Sequence, residues 1–171
     1  MTLSPLPRSP EFLGWQDIDK LIDYLLPQLR GPYDALLMIT RGGIIPGGLI
    51  AEALDIRFIL TAAIEFPTGG QGHLAWPSFH QFPNDALLKG KRTLIVDDIW
   101  ANGRTITTVK GRVHAAGGSP EAAVLHYKPG SNLFRDAGPD YYSAVTDRFV
   151  VYPWEVQRGP DEISREVPQP N

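Results

Sequence analysis

The sequence predicts an α/β protein with a mostly parallel, five-stranded sheet flanked by helices. Three observations carry that expectation. Short apolar runs such as Ala35–Thr40 and Thr93–Val96 suit strands buried on both faces. Segments of helical period lie between them, and glycine-containing turns separate the two kinds of element.

In chain order, residues 1–14 carry Pro5, Pro7 and Pro10 and read as an irregular arm. Trp15, Ile18, Leu21, Ile22, Leu25 and Leu29 then share one face of a helix that weakens at Pro27. The strand Ala35–Thr40 stops at Arg41-Gly42-Gly43, and residues 46–54 form a helix with Pro46 near its start. Arg57–Phe66 is a second strand. Residues 67–90 are rich in Gly, Pro and aromatics without periodicity, which predicts a long loop of the kind that often serves function. Thr93–Val96 is a third strand, and residues 103–116 a helix with Ile106, Val109, Val113 and Ala116 on one face and Gly117-Gly118 as its stop. Ala122–Tyr127 and Phe149–Tyr152 complete the strands, and a polar tail runs over residues 157–171. The single domain predicted is therefore 15–156.

Composition narrows the class. A chain of 171 residues, 43% hydrophobic and 20% charged, fits one globular core. The net charge of −3 and the lack of a Lys/Arg run argue against a nucleic-acid partner. There is no cysteine, so disulfides and thiolate metal sites are excluded. No apolar run reaches the ~20 residues of a membrane span, and the first residues lack the pattern of a secretory signal; the expected location is the cytoplasm.

In sheets of this type, ligands sit beyond the carboxyl ends of the strands. Leu94-Ile95-Val96 delivers Asp97 and Asp98 to that edge, and Ala101-Asn102-Gly103-Arg104-Thr105 then opens a helix. Backbone N–H groups at a helix start and the helix dipole together suit a phosphate, while Gly103 permits an unusual backbone angle and close approach. Paired carboxylates beside a phosphate suit the hydroxyls of a sugar and the waters of Mg²⁺, so the segment fits a phosphorylated ribose. The competing reading is a plain strand-turn-helix junction with solvated aspartates. Thr40-Arg41-Gly42-Gly43 falls on the same edge, where Gly exposes N–H groups and Arg41 offers a fixed charge. Of the histidines, His114 and His126 read as structural; His73 and His80 lie in the long loop and are the candidates for catalysis.

The run LIVDDIWANGRTI resembles the diphosphoribosyl-binding signature of type I phosphoribosyltransferases. MITRGGIIPGGLIAEALDIR resembles the first strand, loop and helix of the bacterial xanthine–guanine phosphoribosyltransferases and their hypoxanthine-using relatives, and HYKPGS and FVVYPWE resemble that group's base-recognition segments. The resemblance implies the type I fold with a small C-terminal base-recognition segment, 5-phosphoribosyl 1-diphosphate and a nitrogenous base as partners, Mg²⁺ as cofactor, and a homodimer or homotetramer. It makes Asp97, Asp98 and Arg41 catalytic, with the two aspartates also toward the metal. Donor phosphates fall to Arg41, Gly42, Gly43, Ala101, Asn102, Gly103, Arg104 and Thr105, with a strained peptide expected at Arg41–Gly42. Lys128 would meet the exocyclic oxygen of a 6-oxopurine, Phe149 would stack on the base, backbone groups around Val150 would read its edge, and Glu155 would orient base or water.

Two features depart from the family. Many 6-oxopurine enzymes place an aspartate for the N7 proton where this chain has Ala101. The family's hood carries basic residues, whereas residues 67–90 have no Lys or Arg before Lys89. Transfer to a purine is the leading expectation, with a pyrimidine or other acceptor, or a non-catalytic donor-binding regulator, as the alternatives.

Overall fold

A computed structural model describes residues 9–66 and 76–155. The residues of the predicted hood from 67 to 75 and the predicted tail over 157–171 lie outside the described residues. In order, the elements are β1 (Glu11–Phe12), α1 (Trp15–Leu25) with a 3-10 turn at Leu26–Gln28, β2 (Ala35–Ile39), α2 (Ile44–Ala53), β3 (Ile59–Glu65), β4 (Ser78–Gln81) and α3 (Asp85–Leu88). They continue as β5 (Arg92–Trp100), α4 (Arg104–Ala115), β6 (Ser119–Tyr127), a 3-10 turn at Pro129–Ser131, β7 (Tyr141–Val145) and β8 (Val150–Val151).

The main sheet has six strands in the order β4-β3-β2-β5-β6-β7, parallel throughout except for β4. Strand β2 is buried along its whole length because both faces are covered. On one face α1 and α2 contribute Ile18, Ile22, Leu25 and Ile50 to a core with Leu36, Val96 and Leu125. On the other, Ile106, Val109 and Val113 of α4 and Leu88 of α3 cover Leu37, Ile95 and Val124. Each such side chain contributes roughly 1.5–3 kcal/mol of transfer free energy on burial. Helix α2 approaches β2 closely at Gly47, where a Cβ would lie 2.7 Å from Met38 Cγ.

The α/β class holds, and the strand count is corrected. The segment Phe149–Tyr152 does not join the main sheet; Val150 and Val151 pair in parallel with Glu11 and Phe12 of the supposedly irregular arm, in a separate two-stranded sheet. Two residues per strand give no periodicity to read. The long loop is also corrected, since residues 78–81 add an antiparallel edge strand to β3 and residues 85–88 form a short helix whose N-cap, Asn84 Oδ1, accepts the Ala86 N–H at 3.0 Å. Strand β7 was not expected. Its half-exposed face on the sheet edge dilutes the apolar signal.

Strand β5 runs four residues further than the apolar stretch predicts, ending at Trp100 instead of Val96. Pairing with β2 stops at Met38 opposite Val96, while pairing with β6 continues to Trp100 opposite Tyr127. Asp97 and Asp98 therefore sit on a strand that has lost one neighbour. Above the end of β2 the sheet is open, at the point where the chain's order of winding reverses.

Candidate active site

The loop after β2 closes against the acids. Gly43 N–H donates to the Ile39 carbonyl at 2.8 Å, making a tight turn. At Gly42 a Cβ would lie 2.5 Å from Asp98 Oδ2 and 2.7 Å from Asp97 Oδ1, and at Gly43 one would strike the Val96 carbonyl. Only glycine lets this backbone lie against two carboxylates. The unusual peptide bond is the cis Thr40–Arg41 bond, one residue before the Arg41–Gly42 step expected from the sequence. The glycines serve close approach, while the cis bond precedes them; Arg41 itself is exposed.

Asp98 N–H donates to Asp97 Oδ1 at 3.0 Å. Burial, and secondarily the charge of Asp98, push the Asp97 carboxyl well above the usual carboxylate range. Burial and then the charge of Glu155 push Asp98 up to about 6. No Lys or Arg among the described residues is within salt-bridge distance of either acid. The Trp154 indole N–H favours ionised Asp98, yet it is buried outside hydrogen-bond geometry with any group. Two carboxyls thus face an opening with no internal cation to neutralise them.

The turn into α4 follows. Gly103 takes a left-handed conformation at φ +83° and caps α4, and Asn102 Oδ1 accepts the Arg104 N–H at 3.0 Å. That spends one first-turn donor internally. The Thr105 and Ile106 N–H groups remain without acceptors inside the helix, pointing along the positive end of its dipole. The Arg104 guanidinium, expected on a phosphate, stacks over the Phe66 ring at 4.2 Å.

Lys128 follows β6, and its N–H donates to the Trp100 carbonyl at 2.9 Å. Burial lowers the affinity of its ammonium for the proton. Phe149 is 57% exposed, so it is no core residue. Parallel pairing commits the Phe149 and Val151 carbonyls to Glu11 and Leu13, at 2.7 and 3.0 Å. It directs the N–H and carbonyl of the intervening Val150 to the opposite edge of β8.

Tyr152 joins this segment to the acids. Its hydroxyl donates to the Asp98 carbonyl at 3.0 Å and lies 2.8 Å from His126 Nδ1, so a neutral His126 carries its proton on Nδ1. The ring stacks on Trp154 with centroids 4.7 Å apart. Glu155 Oε2 accepts the Tyr152 N–H at 2.7 Å, which places this residue beside the acid pair. The sequence places Tyr152-Pro153-Trp154-Glu155 at this side of the site but does not reveal the hydroxyl's partners, because an aromatic near a strand end carries no sign of them. His126 is structural as expected; His80 pairs with Glu65 at 2.8 Å on exposed strands, and His73 lies outside the described residues.

A mostly parallel α/β sheet brings an acid pair, a glycine loop and the open start of a helix together at its switch point, where proteins of this class bind their ligands. The phosphoribosyl transferase domain family matches residues 13–157, and the chain belongs to it. It is 28% identical over 163 residues to the xanthine-guanine phosphoribosyltransferase of Gluconobacter oxydans, covering 91% of each chain. Its identity to the enzyme of that name from Nitratidesulfovibrio vulgaris is 27% over 161 residues, covering 91% of this chain and 83% of the other. The crystal structure of a purine phosphoribosyltransferase from Pyrococcus horikoshii superposes with a TM-score of 0.75 at 29% identity, covering 90% of this chain and 99% of that one.

Proposed function

We propose that the protein transfers the 5-phosphoribosyl group of 5-phosphoribosyl 1-diphosphate to a purine base, with 6-oxopurines favoured, and releases pyrophosphate. The observation that carries the reading is the closure of Gly42 on Asp97 and Asp98 across from the start of α4. The 5-phosphate would rest on the Thr105 and Ile106 N–H groups, with Thr105 Oγ1 beside them, and the pyrophosphate on the Gly42 and Gly43 backbone under the Arg41 charge. Asp97 and Asp98, two partly buried carboxyls without a basic side chain in salt-bridge reach among the described residues, fit a divalent ion. Mg²⁺ held there would supply positive charge toward the pyrophosphate.

The remaining chemistry falls to the chain. As the bond from C1 to the pyrophosphate oxygen lengthens, C1 gains oxocarbenium character, and the bond to the base nitrogen forms from the opposite face. Asp97 and Asp98 stabilise positive charge through the ribose hydroxyls. Lys128 donates to the exocyclic oxygen, Phe149 stacks on the base, and the Val150 backbone reads its edge; a lysine there favours an oxo group over the amino group of adenine. Ala101 offers no proton acceptor, so the proton lost by the base passes to solvent. Relatives named as xanthine-guanine enzymes support the acceptor class.

The assay incubates the protein with donor, Mg²⁺ and individual bases. Nucleotide from xanthine, guanine or hypoxanthine is the expected product. Product only with a pyrimidine would move the reading to the acceptor that Ala101 leaves open. Donor binding without turnover on any base would make the chain a regulator.

A further inference from the structure

We propose that Asn132 and Trp100 form a clasp that couples the donor-phosphate turn to the acceptor lysine, so that an occupied phosphate turn fixes the position of Lys128. The inference rests on the donor reading above and assigns two positioning residues to it.

The contacts converge on one amide. Asn132 Oδ1 accepts the Trp100 Nε1–H at 3.1 Å and the Phe134 N–H at 3.3 Å. Its Nδ2 donates to the Ala137 carbonyl at 2.6 Å and the Phe134 carbonyl at 2.9 Å, with Tyr127 Oη further off at 3.3 Å. Both ends of the amide are thus committed, leaving Asn132 no freedom to rotate. Trp100, 1% exposed, is gripped at both of its ends: its side chain by Asn132, its carbonyl by the Lys128 N–H at 2.9 Å. Between Lys128 and Asn132 there is only the single 3-10 turn of Pro129–Ser131.

The same pair floors the phosphate turn. A Cβ on Gly103 would lie 2.6 Å from Trp100 Nε1 and 2.8 Å from Asn132 Oδ1, so the left-handed glycine rests directly on the clasp. A second tie, from the Leu133 N–H to the Asn102 carbonyl at 3.1 Å, holds the rim of the turn. Moving residues 102–103 therefore means moving Trp100 or Asn132, and either displaces the backbone that carries Lys128. A staple needed only for stability would require none of this contact with Gly103.

Hydrogen exchange of the full chain, with and without 5-phosphoribosyl 1-diphosphate and Mg²⁺, tests the coupling. In the unaltered protein the donor slows exchange about tenfold both in residues 101–106 and in residues 129–137. In Asn132→Ala, and in Trp100→Phe, which keeps an aromatic ring but loses the Nε1 donor and part of the indole, slowing persists in 101–106 and is lost in 129–137. The KM for the base then rises about tenfold, as loss of one positioning contact implies. Gln28→Ala, which removes side-chain bonds to the Tyr24 and Tyr142 carbonyls away from the site, keeps the donor response of both segments. Donor protection of 129–137 that survives in both variants overturns the coupling, as does its absence from the unaltered protein while 101–106 is protected. A donor that slows neither segment sinks the donor reading and this inference with it.

Discussion

The two edges of the sheet treat charge in opposite ways. At the amino edge, Glu121 accepts hydrogen bonds from Tyr33 at 2.7 Å, Tyr141 at 3.0 Å and Arg92 at 2.8 Å. Asp140 accepts from Lys110 and from the Ala122 N–H, both at 2.6 Å. Even the cavity of about 550 Å³ there is lined by these paired groups, with Gln28 and Arg30. At the carboxyl edge Asp97 and Asp98 are pushed up by burial, with no basic side chain among the described residues in salt-bridge reach. Burial also works against ionised Glu121, but its hydrogen bonds from Tyr33 and Arg92 win and hold it low. One edge is finished by the fold; the other is left for a ligand to finish.

The sharpest way to break this contrast is to exchange stability for activity at one acid. Asp98→Asn should lower kcat by roughly 10²–10³-fold, the scale of losing one preorganised electrostatic group. The same change should raise unfolding stability at pH 8 by roughly 2 kcal/mol, because it removes a carboxylate that burial disfavours. Chemical denaturation and steady-state kinetics on one preparation check both halves. A variant that is less stable would mean the acid pair is part of the scaffold.

At the amino edge the pattern should invert. Glu121→Ala strands Tyr33, Tyr141 and Arg92 and is expected to cost about 2 kcal/mol of stability with kcat unchanged. A large loss of turnover in the folded variant would contradict the division of labour. Between these extremes, Phe149→Ala should raise the KM for the base about fivefold to tenfold with little change in melting temperature, since the ring is 57% exposed. An unchanged KM would remove the stacking role.

The smallest effects lie in the pH dependence. Glu121 is held below its ordinary value of 4.5, so its contribution is present above that value and is lost as pH falls through the lower folded-state value. Asp98 behaves oppositely: its folded-state value of about 6 exceeds the ordinary 3.8, the native state holds the proton more tightly, and stability falls as pH rises between them. In metal-free protein, Glu121→Gln should flatten the acid limb below about pH 4.5, and Asp98→Asn should remove the decline between about pH 4 and pH 6. Urea titrations across that range separate the two limbs.

The geometry of the proposed donor half was legible because its residues are written contiguously. An apolar strand, two acids and a glycine turn occupy adjacent positions in Leu94–Thr105, and the helix that follows starts one residue from where its period predicts. The acceptor half is assembled from segments far apart. Nothing in Glu11-Phe12 announces a strand, and nothing in Pro129-Gly130-Ser131-Asn132 distinguishes a turn from a turn that clasps a tryptophan. The position of the cis bond was missed for a related reason: glycine marks where backbone can approach, while the bond itself falls beside Arg41. Likewise the apolar run stops at Val96, so neither the strand's continuation to Trp100 nor the bond of its indole N–H is visible in the sequence.

The pairing of β1 with β8 has a kinetic consequence. Joining Glu11 to Val150 closes a loop containing almost every described residue. Such a closure carries a large entropic cost and returns very few backbone bonds. The small sheet should therefore be the last structure to form and the first to open by local unfolding, while β2, β5 and β6 stay intact. Opening it would free Phe149–Val151 from their strand partner, so Glu11 and Phe12 set how often that segment is held in place.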